Sequence, residues 1–282
     1  MTSPASVTIA GPASDDFTQA QHAAWASLPV SLTQAPASAG LVAVDGRSDG
    51  WLEALEDAIR PGPAGVLVVR PAAGPSAPDI RAVAATAVGT GTLVAVQATW
   101  AAHPAVPPFA RAAAERLSGI TLIDSVAQLD GTRHHRWADV LLDQLALLRA
   151  VIGPLEQARF AVQHEHGYTV DGAIGAGAVA MSAVRSATPP QAARLAAYGA
   201  TAEAHLIVPS GSTTATPATA WFVDSAGAVM QPTWYETASR ASWRRLHRAT
   251  AERPGEPLPD LTDLAGDAEL VAAITANWQA RR

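Results

Sequence analysis

Four polar residues near one predicted helix have types and a spacing that suit proton transfer. Asp139 and Asp143 are four residues apart in the segment 139–154, so a helix places them on the same face. Two carboxylates this close can share a proton, which raises the pKa of one of them. His134 and His135 precede the helix and could complete a histidine–aspartate relay. The pattern is typical of general acid–base chemistry.

The same residues also have a structural interpretation, which we favour. Asp139 is placed to cap the start of the helix, while Asp143 can pair with an arginine such as Arg133 or Arg136. Of the two adjacent histidines, one ring is expected to pack and the other to be solvated. Ion pairs along a helix edge are common, and acids with shifted pKa values also occur in purely structural networks.

The helix itself is predicted from the spacing of its apolar residues. They recur at intervals of three and four, which is the period of one helix face, and a Gly-Pro pair at 153–154 ends the pattern. The sequence therefore predicts a buried helix with one polar edge. Its apolar residues are Leu141, Leu142, Leu145, Leu148 and Ile152.

The chain before this helix alternates short apolar strands with helices, which favours a doubly wound, mostly parallel sheet. The predicted strands cover residues 6–10, 29–33, 41–44, 65–69, 92–97 and 120–126. The opening strand, turn and helix are of the nucleotide-binding type. However, Gly11 is the only glycine where G-x-G-x-x-G would have three, and Asp15 and Asp16 lie where phosphates would bind. Repulsion between these aspartates and a phosphate would oppose binding, and without the other glycines the backbone could not approach the phosphate closely.

The chain after the helix shows long runs of alternating polarity at 156–165, 169–185, 193–208 and 218–229. Such runs predict an antiparallel sheet with one buried face and one open face. A helix at 236–251, a proline-rich linker and a last helix at 264–280 complete the chain. We therefore predict two domains, 1–128 and 129–282.

The segment 139–154 resembles the central helix of the Gfo/Idh/MocA (glucose-fructose oxidoreductase and inositol dehydrogenase) family. Its motif, D-x-G-x-H-x-x-D-x-x-x-W-x-x-G, carries a catalytic His and Asp. Aligned without a gap, this chain keeps Asp139 and Gly153 but has Asp143 in the His position and Ala146 in the Asp position. The resemblance thus preserves the helix and replaces the proton-handling pair.

A second part of the resemblance lies at the end of the predicted strand 92–97. The family has E-K-P there, and its lysine takes part in cofactor binding and proton transfer. This chain has Gln97, Ala98 and Thr99 instead, and no lysine occurs anywhere in the sequence. Gln34 likewise stands where a dinucleotide binder has an acidic residue for the ribose.

The resemblance implies a degenerate Rossmann-type sheet followed by an open antiparallel sheet domain with helices on one face, an α/β plus α+β fold. The terminal helix would pack back on the first domain, and the open sheet would serve a homo- or hetero-oligomer. The replaced residues predict that NAD(P) binding and dehydrogenase activity are lost and that no cofactor is used. The protein would then be a binding or partner subunit, with a small sugar-like molecule as a possible ligand. Two alternatives remain: an NAD(P)-dependent oxidoreductase on a sugar or polyol with an unusual site, or a cofactor-free sugar lyase or isomerase using Asp143 with His134 or His135.

Further residues are candidates for a pocket. Trp100 and His103 follow the strand 92–97 and are expected to border a cleft, because ligands bind beyond the carboxyl ends of such strands. His164 and His166 would face the same side of a strand, but two histidines are too few to predict a metal site. Tyr168 could line a pocket or be buried with its hydroxyl satisfied.

Composition limits the function classes. The formal net charge is -6, which argues against a nucleic-acid surface. There is no cysteine, so disulfides and thiolate chemistry are excluded. Neither a signal-peptide pattern nor an apolar run of membrane-spanning length is present, and we predict a cytoplasmic protein without membrane contact.

Overall fold

The computed structural model describes residues 5–28, 31–34, 40–131, 135–187, 191–210 and 217–280. The chain divides into two compact units, each built around its own β-sheet. Unit 1 comprises Met1–Ala98 and Ala238–Glu269, and unit 2 comprises Thr99–Thr237 and Leu270–Arg282. Arg133 and His134, both named in the sequence analysis, lie outside the described residues.

Unit 1 contains a five-stranded parallel sheet of the order β2-β1-β3-β4-β5. Its strands are β1 (Ala5–Ala10), β2 (Leu32–Gln34), β3 (Leu41–Asp45), β4 (Gly65–Val69) and β5 (Leu93–Gln97). Its helices are α1 (Asp15–Ala26), α2 (Trp51–Ile59), α3 (Ala77–Thr90) and, late in the chain, α6 (Ala238–Glu252). Strands β3 and β4 are buried along their whole length, as strands covered on both faces must be.

The core of unit 1 is formed where α1 and α6 pack on one face of the sheet. Trp243 of α6 lies against Trp25 of α1 at a ring distance of 5.7 Å, and its indole N–H donates to Gln21 Oε1 at 2.9 Å. Val7, Leu41 and other sheet residues complete this apolar cluster. Helices α2 and α3 pack against the sheet as well, which makes unit 1 a doubly wound α/β layer structure.

Unit 2 contains an eight-stranded sheet of the order β13-β12-β11-β10-β6-β9-β8-β7. Its strands are β6 (Leu122–Asp130), β7 (Gln157–His164), β8 (Gly167–Ile174), β9 (Gly177–Ser186), β10 (Ala192–Tyr198), β11 (Ala202–Pro209), β12 (Thr219–Asp224) and β13 (Gly227–Met230). Helices α4 (Val106–Arg116) and α5 (Trp137–Val151) pack on it. The last helix, α7 (Asp260–Ala280), runs from unit 1 into unit 2.

The predicted fold class is confirmed: a parallel Rossmann-like sheet is followed by an extended second sheet with helices. The second sheet is mixed rather than purely antiparallel, because β6 and β9 run parallel. The long runs at 169–185, 193–208 and 218–229 each fold into two strands, since short turns interrupt the pairing without changing the alternation.

The strand predicted at 120–126 does not close the first sheet. It is β6, which lies in the second sheet between β10 and β9. Its burial alternates, with Ile123, Ser125, Ala127 and Leu129 buried and the residues between them partly exposed. That pattern is typical of a sheet with one open face, whereas a central strand of a doubly wound sheet is apolar throughout.

None of the helices among the described residues is long and apolar enough to span a bilayer.

Candidate functional site

Helix α5 carries Asp143, the residue at the position of the catalytic histidine in the resemblance. The backbone N–H of Thr99 donates to Asp143 Oδ1 at 2.8 Å, and the Thr99 hydroxyl donates to Oδ2 at 2.5 Å. The backbone nitrogen and the hydroxyl of Thr99 thus each bind one oxygen of the Asp143 carboxylate. Charge-assisted hydrogen bonds of this kind are short and strong, so they hold the Asp143 side chain in one orientation.

The remaining acid–base candidates near the start of α5 have local partners. Asp139 lies 3.9 Å from Arg136 Nε, and its backbone N–H donates to the Arg136 carbonyl at 3.0 Å. The His135 Nε2 lies 3.2 Å from the carbonyl oxygen of Asp130, and the His135 carbonyl accepts from Arg185 at 2.9 Å. The structural interpretation gave the cap to Asp139 and the arginine to Asp143. In the structure Arg136 is the N-cap of α5, the arginine contact belongs to Asp139, and Asp143 accepts from Thr99.

Tyr168 is 1% exposed and takes part in a buried hydrogen-bond network that the sequence did not reveal. Its hydroxyl donates to Gln144 Oε1, and Gln144 Nε2 donates to the Ser125 hydroxyl at 3.1 Å and to the Ser182 carbonyl at 3.1 Å. Burial, with the charge of Asp143 as a second cause, raises the pKa of Tyr168 well above its ordinary value. The phenol therefore stays protonated and ties α5 to strands β6, β8 and β9.

Trp100 and His103 are buried side chains with internal partners rather than residues on an open rim. The Trp100 indole N–H donates to the Ser210 hydroxyl at 3.1 Å. His103 Nδ1 accepts from the Ala105 N–H at 3.2 Å. Burial lowers the pKa of His103, an effect that the charge and backbone of Glu236 partly offset.

The expectation that His164 and His166 alternate on one strand is wrong. His164 ends β7, whereas Glu165 and His166 form the turn between β7 and β8. The His166 side chain is 77% exposed and lies 4.0 Å from Glu165. Across the described ranges, no group of three or more His, Asp or Glu side chains is arranged to hold a metal ion.

The turn between β1 and α1 keeps Gly11 for a packing reason. Gly11 has φ +73°, and a Cβ added there would lie 2.8 Å from Ala54 Cβ of α2. Ser14 is the N-cap of α1, and its hydroxyl accepts from the Phe17 N–H at 3.2 Å. The single retained glycine thus allows the close approach of α2.

An ion pair lies beside this turn, at the carboxyl end of β3. Asp45 is 3% exposed and accepts from Arg47 Nε at 3.1 Å, from Arg47 Nη2 at 3.3 Å and from the Arg47 backbone N–H at 3.1 Å. The same guanidinium donates to the Ser14 hydroxyl at 3.2 Å. Sequence reasoning missed this pair, although a charged D-G-R segment directly after a buried parallel strand is a recognisable signal.

These residues do not fit the pyrophosphate of a dinucleotide. The turn offers one glycine instead of three, and Pro12 has no N–H to donate. Asp15 and Asp16 occupy the first turn of α1. The nearby cation, Arg47, is already bound by the buried carboxylate of Asp45. Because Asp45 neutralises Arg47, Asp15 and Asp16 leave this turn with a net negative charge, which opposes the binding of a phosphate.

Comparison with known proteins rests on structure, because no family model matches this sequence and no curated protein is detectably similar to it. KijD10, a 3-ketoreductase from Actinomadura kijaniata in complex with NADP, superposes with a TM-score of 0.75 at 14% identity, and 97% of each chain is covered. The dehydrogenase MviM from Clostridium difficile has a TM-score of 0.70 at 6% identity, covering 97% of this chain and 99% of that one.

A third structure is an oxidoreductase from Agrobacterium radiobacter in complex with NAD+, L-tartaric acid and magnesium. Its TM-score is 0.72 at 9% identity, covering 100% of this chain and 98% of that one. The chain has the two-domain Gfo/Idh/MocA-type fold. The predicted resemblance is therefore confirmed at the level of the fold. At identities of 6 to 14%, the likeness establishes the architecture and leaves the activity to be argued from the residues.

Proposed function

We propose that this protein keeps the fold of NAD(P)-dependent oxidoreductases without using NAD(P), and that it acts in the cytoplasm as a non-catalytic binding or partner subunit. The observation that carries the proposal is the ion pair of Asp45 and Arg47 beside the first turn of α1. It provides an internal charge pair at the place where the fold would receive the phosphates of a dinucleotide.

The proposed loss of proton transfer is supported by Ala98 at the end of unit 1's first segment and by residues of unit 2. Ala98 has no ionisable group, and the sequence contains no lysine that could replace it. Asp143 is engaged by two hydrogen bonds from Thr99. Tyr168 is buried, its hydroxyl is bound to Gln144, and its pKa is raised, so it is a poor proton donor or acceptor near neutral pH.

The composition of the purified protein tests this part of the proposal. We expect mass spectrometry of the denatured protein to release no stoichiometric nicotinamide nucleotide, and the absorbance spectrum of the native protein to lack a nicotinamide contribution. About one NAD(P) per chain, retained through purification, would contradict it.

The partner surface that we propose is the face of the second sheet opposite α5. Side chains on this face remain partly exposed in the described residues, including Leu122 at 39% and Val184 at 43%. His205 of β11 and Trp221 of β12 stack there at a ring distance of 4.8 Å. Eight strands of four to ten residues, on average about seven to eight, present roughly 38 Å by 25 Å, or about 950 Å². A standard interface buries about 800 Å² on each partner.

A second copy of this chain is the occupant that we propose. The face carries Arg194 as well as Asp124 and Asp171, so both signs of charge are present, as an interface that pairs with itself requires. Light scattering and sedimentation should show a dimer at micromolar concentration. Val184→Asp should shift it towards monomer, because a buried unpaired charge is costly.

Val88→Asp is the matched control for this experiment. Val88 is 58% exposed on α3 of unit 1, so the same substitution there adds the same charge away from the proposed interface. We expect it to leave the assembly unchanged. A wild-type chain that stays monomeric at high concentration, or equal effects of the two substitutions, would contradict the proposed surface.

The structural neighbours favour a second candidate, an NAD(P)-dependent oxidoreductase on a sugar or polyol, because two of them are complexes with NADP or NAD+. Recovery of a bound nucleotide in the test above would support it. A cofactor-free lyase or isomerase using Asp143 is a third hypothesis. Asp143→Asn should abolish such an activity, and an unaffected rate would dismiss it.

A further inference from the structure

Asp45 is a buried carboxylate surrounded by donors at the end of β3. Its two oxygens accept from Arg47 Nε, from Arg47 Nη2 and from the Arg47 backbone N–H, at 3.1, 3.3 and 3.1 Å. The Ser14 hydroxyl lies 3.4 Å from Oδ2. This is the donor set that proteins use to bind a free anion: a forked guanidinium, a backbone N–H and a hydroxyl.

The topology places this carboxylate at a ligand-binding position of the fold. Strands β1 and β3 are neighbours, and Ala10 at the end of β1 is paired with Val44 of β3. Strand β2 lies on the other side of β1, so the strand order changes direction between β1 and β3. Ligands of doubly wound sheets bind in the crevice at this switch point, and phosphates bind at the N-terminus of the following helix. Here that helix begins after Ser14.

We infer that Asp45 is a built-in occupant of the anion position, which holds Arg47 and thereby excludes phosphate-bearing ligands from the crevice of unit 1. The inference deepens the proposed loss of nucleotide binding and rests on it. The missing glycines alone do not explain the exclusion of phosphate, because Arg47 lies where it could bind a phosphate. The inference attributes this exclusion to Asp45.

The charges of the crevice explain why Asp45 decides the selectivity. With Asp45 ionised, the pair with Arg47 is neutral, and Asp15 and Asp16 in the first turn of α1 leave the surroundings negative. Without the Asp45 charge, the Arg47 guanidinium loses the carboxylate that neutralises it and keeps the Ser14 hydroxyl as a partner. The Arg47 side chain is 41% exposed, so a diphosphate in solution can reach it and bind both of its forked N–H groups.

The test measures inorganic pyrophosphate binding by titration calorimetry on the full chain. We expect the wild type to bind weakly or not at all and Asp45→Asn to bind about 10- to 100-fold more tightly, the range that one charge-assisted contact gives. Asp45→Ser is a second variant, which also removes the charge. Pyrophosphate should raise the melting temperature of both variants more than that of the wild type.

Two controls identify the cause of any gain. Asp57→Asn removes the same charge from an exposed pair with Arg60 in unit 1, where the side chains are 2.8 Å apart, and should give no gain. The double variant Asp45→Asn/Arg47→Gln should lose the gain, because the released guanidinium is the expected ligand. A gain that survives the Arg47 substitution, or one that Asp57→Asn reproduces, would overturn the inference.

Failure of this inference and failure of the proposed function give different results. Wild-type protein that binds NADPH defeats the proposed function. If neither the wild type nor the Asp45 variants bind NADPH or pyrophosphate, this inference is wrong while the proposed function is not contradicted. Loss of the cooperative thermal transition in both Asp45 variants would assign Asp45 a purely structural role and would also overturn it.

Discussion

Replacing Asp143 tests whether this residue holds the structure or performs chemistry. In Asp143→Ala the Thr99 backbone N–H and the Thr99 hydroxyl both lose their acceptor. A hydrogen bond to a charged group contributes about 1.5–3 kcal/mol. Because Asp143 is only partly buried, we take the low end for each bond, and the free energy of unfolding should fall by about 3 kcal/mol.

Two milder variants separate the two bonds. Asp143→Asn keeps an oxygen for the Thr99 N–H, and its amide can donate to the Thr99 hydroxyl, so the loss should be about 1 kcal/mol. Thr99→Val removes the hydroxyl at nearly constant volume and should also cost about 1 kcal/mol. Since both residues share the interaction, the double variant Asp143→Ala/Thr99→Val should be more stable than the sum of the single effects predicts, by about 1 kcal/mol.

Urea unfolding followed by tryptophan fluorescence measures these differences, provided that the slope with denaturant is unchanged among the variants. An Asp143→Ala variant within about 0.5 kcal/mol of the wild type would refute the reasoning, because a surface substitution without a structural role has an effect of that size. Full additivity of the Asp143 and Thr99 substitutions would refute the contact between them.

Three further expectations concern stability. His103 has a lowered pKa in the folded protein, so the unfolded chain takes up a proton first as the pH falls below about 6.5, and stability should decrease there by up to about 1.4 kcal/mol per pH unit. His103→Asn should reduce this decrease in pH-dependent melting, whereas His166→Asn, at an exposed turn, should not. Tyr168→Phe should cost about 1–3 kcal/mol in urea unfolding, because it removes the hydroxyl donor to a buried amide oxygen. Gly11→Ala should destabilise more than Gly62→Ala, since both have positive φ but only Gly11 faces a close Cβ contact.

Each expectation has a contradicting result. Equal pH profiles for wild type and His103→Asn would show that this histidine is not protonated differently in the two states. A Tyr168→Phe variant as stable as the wild type would mean that the buried network does not depend on the phenol. If Gly11→Ala and Gly62→Ala lose the same stability, the positive φ alone would account for the loss at Gly11, and the contact with Ala54 would not contribute.

The sequence predicts the framework well where periodicity is strong. The pattern predicts a helix within 139–154, and α5 spans Trp137–Val151, because its apolar face is continuous and Gly153-Pro154 ends it. The pattern also predicts the buried strands β3, β4 and β5 to within one residue at each end, because each is a short, continuous apolar run. Strand pairing is harder to predict from the sequence than strand position. The alternating pattern of β6 predicts which of its side chains are buried but does not identify the neighbouring strands.

The contacts of the candidate site could not be predicted, because they join distant parts of the chain. Thr99 follows β5 and reaches Asp143, 44 residues later, only once the fold is formed. Gln144 lies next to Asp143 in sequence, but whether it faces Tyr168 depends on the packing of α5 on the second sheet. The pair of Asp45 and Arg47 is local, and it is the one feature of the site that the sequence could have indicated.

Equilibrium titration of the wild-type protein with NADPH and NADH tests the central claim most directly. Tryptophan fluorescence and calorimetry should show no saturable binding of either nucleotide up to millimolar concentration, because the crevice between β1 and β3 holds the ion pair of Asp45 and Arg47 beside the carboxylates of Asp15 and Asp16. Saturable binding of either nucleotide at micromolar concentration, with one site per chain, would contradict the account.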